Sequence, residues 1–181
     1  MKKLKFYIAI SLNGKIARTN GDVDWLEAIP NPNKLDYGYL NFYDTIDTTI
    51  QGNETYEKVL SFGVPFPYSG KKNYVFTRQQ DKLDNEEVTY VKSNHLDFVR
   101  KLKQEKGKDI WLIGGGQIAT LLFNENLIDD LHLHIMPIII PDGIDFFAAH
   151  PVEKKLHLQS SKNYPTGVVE LIYKLQPKFL W

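Results

Sequence analysis

Asp109-Ile110-Trp111-Leu112-Ile113 runs without a break into Gly114-Gly115-Gly116 and then into Gln117-Ile118-Ala119. This is an apolar strand, three glycines and the start of a helical pattern. A helix that begins on bare backbone offers unpaired N–H groups and the positive end of its dipole, which together make a seat for an anion. Glycine also removes the side chains that would hold a ligand away. Such a junction belongs to a strand–turn–helix unit, so it ties the chain to α/β architectures.

The rest of the chain follows that lead. Leu4–Ser11 is a nearly continuous apolar run, as expected of a strand buried on both faces. Leu12–Trp25 reads as a long irregular loop turning at Gly14 and Gly21. Leu35, Tyr39, Phe42, Tyr43 and Ile46 recur at helical spacing and predict a helix over Asn33–Thr45. A strand over Thr48–Gln51 closes at Gly52, and Asn53–Ser61 reads as a helix stopped by Gly63 and the prolines at 65 and 67. Strands follow at Lys72–Thr77 and Val88–Val91. A helix lies within Ser93–Lys106, with Ser93 or Asn94 as its cap. After the Ile110–Ile113 strand and the Gln117–Phe123 helix, Leu131–Ile140 is a strand interrupted at Pro137. Lys155–Ser160 and Val168–Leu175 are spaced like a closing antiparallel hairpin. Alternating strands and helices followed by paired strands predict a three-layer α/β domain over residues 1–181. Its mainly parallel central sheet would end in antiparallel C-terminal edge strands.

Charge excludes several partners. Lys and Arg number 22, as do Asp and Glu, so no global field favours nucleic acid or an anionic membrane, and an anion site must be local. The chain has no cysteine, which removes thiolate chemistry and suits a reducing cytoplasm. The Leu4–Leu12 run is short and is followed by polar Asn13-Gly14-Lys15, so it reads as a first strand rather than a secretory signal. No stretch reaches the roughly 18 apolar residues of a membrane span. A cytoplasmic protein handling a small molecule is expected.

Four local signals occur in register. They are Ile8–Ala17 with Gly21–Leu26, Gly52-Asn53-Glu54-Thr55-Tyr56-Glu57, Tyr74–Arg78, and Trp111–Ile118 joined to Leu127–Pro137. In this order the chain resembles the dihydrofolate reductase-like superfamily over about residues 4–175. Within it, the chain is more similar to the C-terminal reductase domain of riboflavin-biosynthesis deaminase–reductases than to dihydrofolate reductase. The resemblance implies NADPH as cofactor, with NADH open. Gly52, Asn53, Thr55 and Gly114, Gly115, Gly116, Gln117, Ile118 would lie at the phosphates, and Ala9, Ile16 and Ala17 at the nicotinamide. Two helix N-termini converging at strand ends could clasp a pyrophosphate from both sides. Family members often carry arginine where this chain has Asn53, so Thr77 and Arg78 stand in for the 2′-phosphate partners.

Hydride transfer also needs a proton from an acid or from ordered water. The family interval back from Gly52 reaches Asp36, which the resemblance makes a catalytic and substrate-holding carboxylate. An Asp at the start of a helix is equally well explained by the helix dipole. Asp24 and Glu27 are rivals. Trp25 and Tyr39 are the remaining substrate-side candidates, Trp25 doubling as a packing anchor. Dihydrofolate reductases usually have a threonine where this chain reads Leu131-His132-Leu133-His134-Ile135. His132 and His134 share a strand face, but two ligands without a third make a poor metal site, so a surface or interface role is expected and no metal. The leading expectation is an NADPH-dependent reductase of a small pyrimidine- or pterin-type compound. The alternatives are dihydrofolate reductase itself and a non-catalytic nucleotide-binding module. The apolar tail Phe179-Leu180-Trp181 makes a homodimer one way to bury it.

Overall fold

In the computed structural model, which describes residues 1–175, fifteen short segments organise around one eight-stranded sheet. The strands are β1 (Leu4–Ser11), β2 (Lys15–Ala17), β3 (Ile46–Gly52), β4 (Lys72–Phe76), β5 (Thr89–Val91), β6 (Asp109–Gly114), β7 (Asp130–Met136), β8 (Ile144–Asp145), β9 (Leu156–Asn163) and β10 (Val169–Leu175). The helices are α1 (Tyr39–Asp44), α2 (Asn53–Ser61), α3 (His95–Gln104) and α4 (Gly116–Asn124), with a 3-10 turn at Asp24–Leu26. The sheet order is β5-β4-β3-β6-β1-β7-β10-β9. All pairs from β5 to β7 are parallel, while β10 runs antiparallel to both β7 and β9. The three-layer dihydrofolate reductase-like α/β expectation, antiparallel edge included, describes this sheet.

The central strands read as apolar runs because both faces are covered. On one face Val99 and Leu102 of α3 and Ala119, Leu122 and Phe123 of α4 pack on Leu4, Phe6, Ile50, Ile110 and Leu112. On the other, α1 brings Phe42 against Trp111 and Ile46, and α2 brings Tyr56 against Val75 and Val88. Tyr7 of β1 stacks on Phe42 with ring centroids 4.2 Å apart, a contact worth about 1 kcal/mol beyond its buried area.

Several boundaries differ from expectation. The Asn33–Thr45 helix is reduced to Tyr39–Asp44, because Lys34, Tyr37 and Gly38 all have positive φ and cannot continue a right-handed helix. Its apolar period is real, but Leu35 belongs to the loop. Asn94 precedes α3 in a left-handed conformation and makes no side-chain capping bond, so the expected cap does not form. β7 stops at Met136 and does not resume after Pro137, whose missing N–H ends the ladder. β9 runs on to Asn163. The irregular loop after β1 contains β2, which pairs with β8. The Phe179-Leu180-Trp181 tail lies outside the described residues.

Candidate functional site

β3 and β6 are neighbours whose helices leave in opposite directions, α2 toward β4 and α4 back across β1 to β7. Ligands of open α/β sheets bind in the crevice at such a switch point, beyond the strand C-termini. Gln51 pairs with Gly114 across the two strands, so the Gly52–Asn53 and Gly114–Gly116 turns stand side by side. Neither α2 nor α4 has a side-chain cap, which leaves their first N–H groups to another partner.

The glycines are there for proximity as well as for turning. A Cβ on Gly115 would lie 3.5 Å from Thr55 Oγ1 and 4.0 Å from the Gly52 nitrogen, and Gly115 also has a φ of 99°. A Cβ on Gly116 would meet the Asp145 carbonyl at 2.6 Å. The two turns therefore leave room for little more than a methyl group between Gly115 and Thr55, and Gly116 lies close under the Asp145 carbonyl. Beside them Ile118 packs into the same cluster as Ile16, and Gln117 is exposed.

The loop after β1 is fastened over this crevice. Asn13 brackets Ile140, its side-chain nitrogen donating to the Ile140 carbonyl at 2.8 Å and its oxygen accepting from the Ile140 amide at 3.1 Å. The Lys15 amide donates to Ser11 Oγ, and the Phe146 amide to the Gly14 carbonyl. Ala9 is half-buried near the end of β1, and Ala17 is buried in the β2–β8 ribbon.

At the outer end, β4 runs beside β3 so that Phe76 is level with Gly52, and Thr77 and Arg78 follow. Thr77 is buried, its amide donating to Val91 and its hydroxyl accepting from the Gln79 amide. Arg78 is exposed. Asn53 donates to Glu57, which pairs with Lys82, and its own side-chain oxygen is buried without a partner. A groove of about 350 Å³ lies between the start of α3 and α4, lined by Asn94, His95, Leu96, Asp97, Arg100 and Leu121.

The substrate-side candidates separate. Asp36 is exposed and precedes α1, its two carboxylate oxygens accepting from the amides of Gly38 at 3.0 Å and Leu40 at 3.1 Å. Those backbone bonds hold its carboxyl below the usual range, the behaviour of a helix-capping anion rather than a proton donor. Asp24 is exposed and paired with Arg18, whose hydrogen bond lowers its carboxyl too, and Glu27 is exposed. Trp25 is 1% exposed among Ile29, Met136, Ile140 and Val168, so it anchors packing, yet its indole N–H has no partner. Tyr39 is half-buried, edge-on to Tyr7 and Trp111, and burial pushes its hydroxyl up to about 12.

Two residues escaped the sequence reading. Gln51 is fully buried, and neither atom of its amide has a partner. His134, expected at a surface or interface, is 3% exposed, because the loop before α1 closes over β7. Its Nε2 lies 3.0 Å from the Tyr37 carbonyl, 3.5 Å from the Tyr7 hydroxyl and 3.8 Å from Glu170, which also accepts from the Tyr164 hydroxyl. Burial pushes the imidazole of His134 down, and that of His132 down to about 4. The available signal was a polar side chain next to a buried apolar one in a strand, Gln51 after Ile50 and His134 after Leu133.

The model of the RibD C-terminal domain matches residues 66–170. The uncharacterized protein YwjB of Bacillus subtilis (strain 168) is 38% identical over 167 residues, which is 92% of this chain and 95% of that one. A crystal structure from Shewanella sp. PV-4, of a protein provisionally assigned to riboflavin biosynthesis, has a TM-score of 0.86 at 28% identity and covers 98% of this chain and 100% of its own. The Thermotoga maritima diaminohydroxyphosphoribosylaminopyrimidine deaminase/5-amino-6-(5-phosphoribosylamino)uracil reductase shares the fold, with a TM-score of 0.72 at 17% identity over 97% of this chain and 57% of that one. The reach of the domain model and the identity to YwjB both extend over most of the sequence, and the chain belongs to the RibD C-terminal domain family.

Proposed function

We propose that the chain is an NADPH-dependent reductase of a small pyrimidine- or pterin-type compound, similar in kind to 5-amino-6-(5-phosphoribosylamino)uracil. The observation that carries this reading is the pair of helix N-termini without side-chain caps standing side by side at the switch point, where Gln51 pairs with Gly114. Main-chain N–H groups at Gly52–Thr55 and Gly114–Ile118, with the Thr55 hydroxyl, would hold the pyrophosphate from both sides. The adenosine half would run over the end of β4 toward the groove at Leu121, with Arg78 and Thr77 beside the 2′-phosphate. Ala9, Ile16 and Ala17 would wall the nicotinamide, and Trp25, Tyr39 and Asp36 would border the substrate compartment.

When bound, the cofactor supplies hydride. The chain's own task is then to orient an electrophilic C=N or C=O carbon and to keep bulk water out. With Asp36 held as a capping anion, an ordered water is the simpler proton source, and Asp36 serves to fix the start of α1. The test is loss of NADPH absorbance with 5-amino-6-(5-phosphoribosylamino)uracil and, in parallel, with dihydrofolate. Turnover of the first supports the reading, whereas turnover of dihydrofolate alone transfers the chain to folate reduction. Cofactor binding with no turnover of either leaves a nucleotide-binding module.

A further inference from the structure

Among the described residues, His134 carries a polar atom that the fold leaves without work. A backbone carbonyl can only accept, so the 3.0 Å approach of Nε2 to the Tyr37 oxygen places the ring proton on Nε2. Nδ1 is then a bare acceptor, buried and without a donor. A buried acceptor left unpaired costs on the order of 1–3 kcal/mol unless something completes it.

The arrangement around the ring is held under strain. Tyr37 has a φ of 53°, in the left-handed region that non-glycine residues seldom occupy. The carbonyl of this residue is the one that faces His134 Nε2. The Tyr37 ring meets Tyr164 edge-on at 5.0 Å, and Tyr164 in turn donates to Glu170. On the sheet, His134 is in register with Ala9 of β1 on one side and with Glu170 of β10 on the other. Two further orphans belong to the cluster that contains Tyr37 and Met136. They are the Trp25 indole N–H, a donor, and the Tyr37 hydroxyl.

We infer that His134 is a specificity-determining residue of the substrate compartment, its Nδ1 accepting a hydrogen bond from the imide N–H of a uracil-type ring. The bare Nδ1 acceptor complements the N–H of an imide, and the Trp25 and Tyr37 donors belong to the neighbouring cluster. This assignment rests on the reductase reading for the location of the compartment beside Ala9. It adds the residue that reads the ring and the ring edge that is read.

Two variants separate this role from simple packing. His134→Gln keeps a nitrogen donor at the Nε2 position for the Tyr37 carbonyl and removes the acceptor at Nδ1. His134→Asn does the reverse, carrying its oxygen near the Nδ1 position and losing the Tyr37 link. The probes are 5-amino-6-(5-phosphoribosylamino)uracil and its imide N-methylated analogue, titrated calorimetrically into protein loaded with NADP+ so that no turnover intervenes. Wild type should bind the N–H probe about tenfold or more tightly than the methylated one. His134→Gln should lose that preference and keep its Tm, while His134→Asn should recover much of the preference at a lowered Tm. Undiminished binding and preference in His134→Gln would overturn the inference, as would absence of probe binding by wild type. Wild type that binds the probe with this preference yet fails to oxidise NADPH in its presence supports the inference and removes the reductase reading alone.

Discussion

The two ends of the sheet treat buried polar groups in opposite ways. At the N-terminal edges, Lys2 is buried and pairs with Asp47 at 2.5 Å and with the Thr48 hydroxyl at 2.9 Å. Lys103 likewise donates to Asp129 at 2.6 Å and to the Leu127 carbonyl at 2.8 Å. Burial alone would raise the Asp47 carboxyl, but hydrogen bonds from Lys2, Thr48 and the Lys108 amide prevail and lower it. At the C-terminal edges, Trp25, Tyr37, Gln51, Asn53, His134 and Thr166 supply every buried side-chain polar atom without a partner among the described residues. Native interiors rarely hold such atoms, and under the proposed function this end is where the cofactor and substrate would bind. One end pairs its buried polar groups within the chain, whereas the other collects the unpartnered ones.

The comparison is broken most forcefully at Gly115. An aspartate there introduces a Cβ at 3.5 Å from Thr55, a strained φ and a negative charge between the two helix N-termini. Gly115→Asp should raise the Kd for NADPH at least a hundredfold, about 3 kcal/mol, as read by titration of tryptophan emission. Unchanged affinity would place the cofactor elsewhere. The matching change at the other end is Lys2→Met, which leaves Asp47 without its cation. Because Asp47 is about one-third exposed, the loss in urea unfolding should be about 2 kcal/mol, with the Kd for NADPH unaltered. A shift in Kd would mean that the two ends are not independent.

What the sequence disclosed follows the same division. The β1 and β6 runs, the alternation of strand and helix and the glycine turns are local signals, and each survives in the structure because periodicity and glycine act within a few residues. The α1 boundary was missed because Leu35 keeps helical spacing while Lys34 and Tyr37 adopt positive φ, a choice made by the loop that closes over His134. The β2–β8 ribbon joins segments about 130 residues apart and has no local signature. Gln51 and His134 were illegible as site candidates for a related reason. Polarity is visible in a sequence, but whether a polar atom finds a partner is settled only by packing.

Acid should weaken the histidine side of the sheet. Burial, the largest influence, with Lys5 adding repulsion, lowers the His132 imidazole from 6.5 to about 4. In the unfolded chain it takes up a proton near pH 6.5, so the folded state binds fewer protons between that value and about 4. Stability is therefore fully present above pH 6.5 and falls as pH drops through this window. Between pH 7 and pH 5 the loss attributable to His132 should be on the order of 1 kcal/mol, and His132→Gln should flatten that part of the urea-stability profile. An identical profile in the variant would show that His132 is not held neutral by burial.

Arg78 offers the smallest effect and the finest division of the crevice. It is exposed and makes no ion pair among the described residues, whereas Lys82 is engaged by Glu57 and Arg18 by Asp24. An exposed guanidinium meeting a phosphate in water gains little from each hydrogen bond, but the dianion of a 2′-phosphate can be held at two points. Arg78→Ala should therefore weaken NADPH about fivefold, about 1 kcal/mol, and leave NADH binding unchanged. Measuring both cofactors on the same variant removes any general loosening of the β4 end, since that would lower both affinities together. Equal weakening would assign Arg78 to local packing and would leave the 2′-phosphate without a guanidinium partner beside α2. Because Asn53 and Glu54 stand at the start of that helix, such an outcome would also turn the cofactor preference toward NADH.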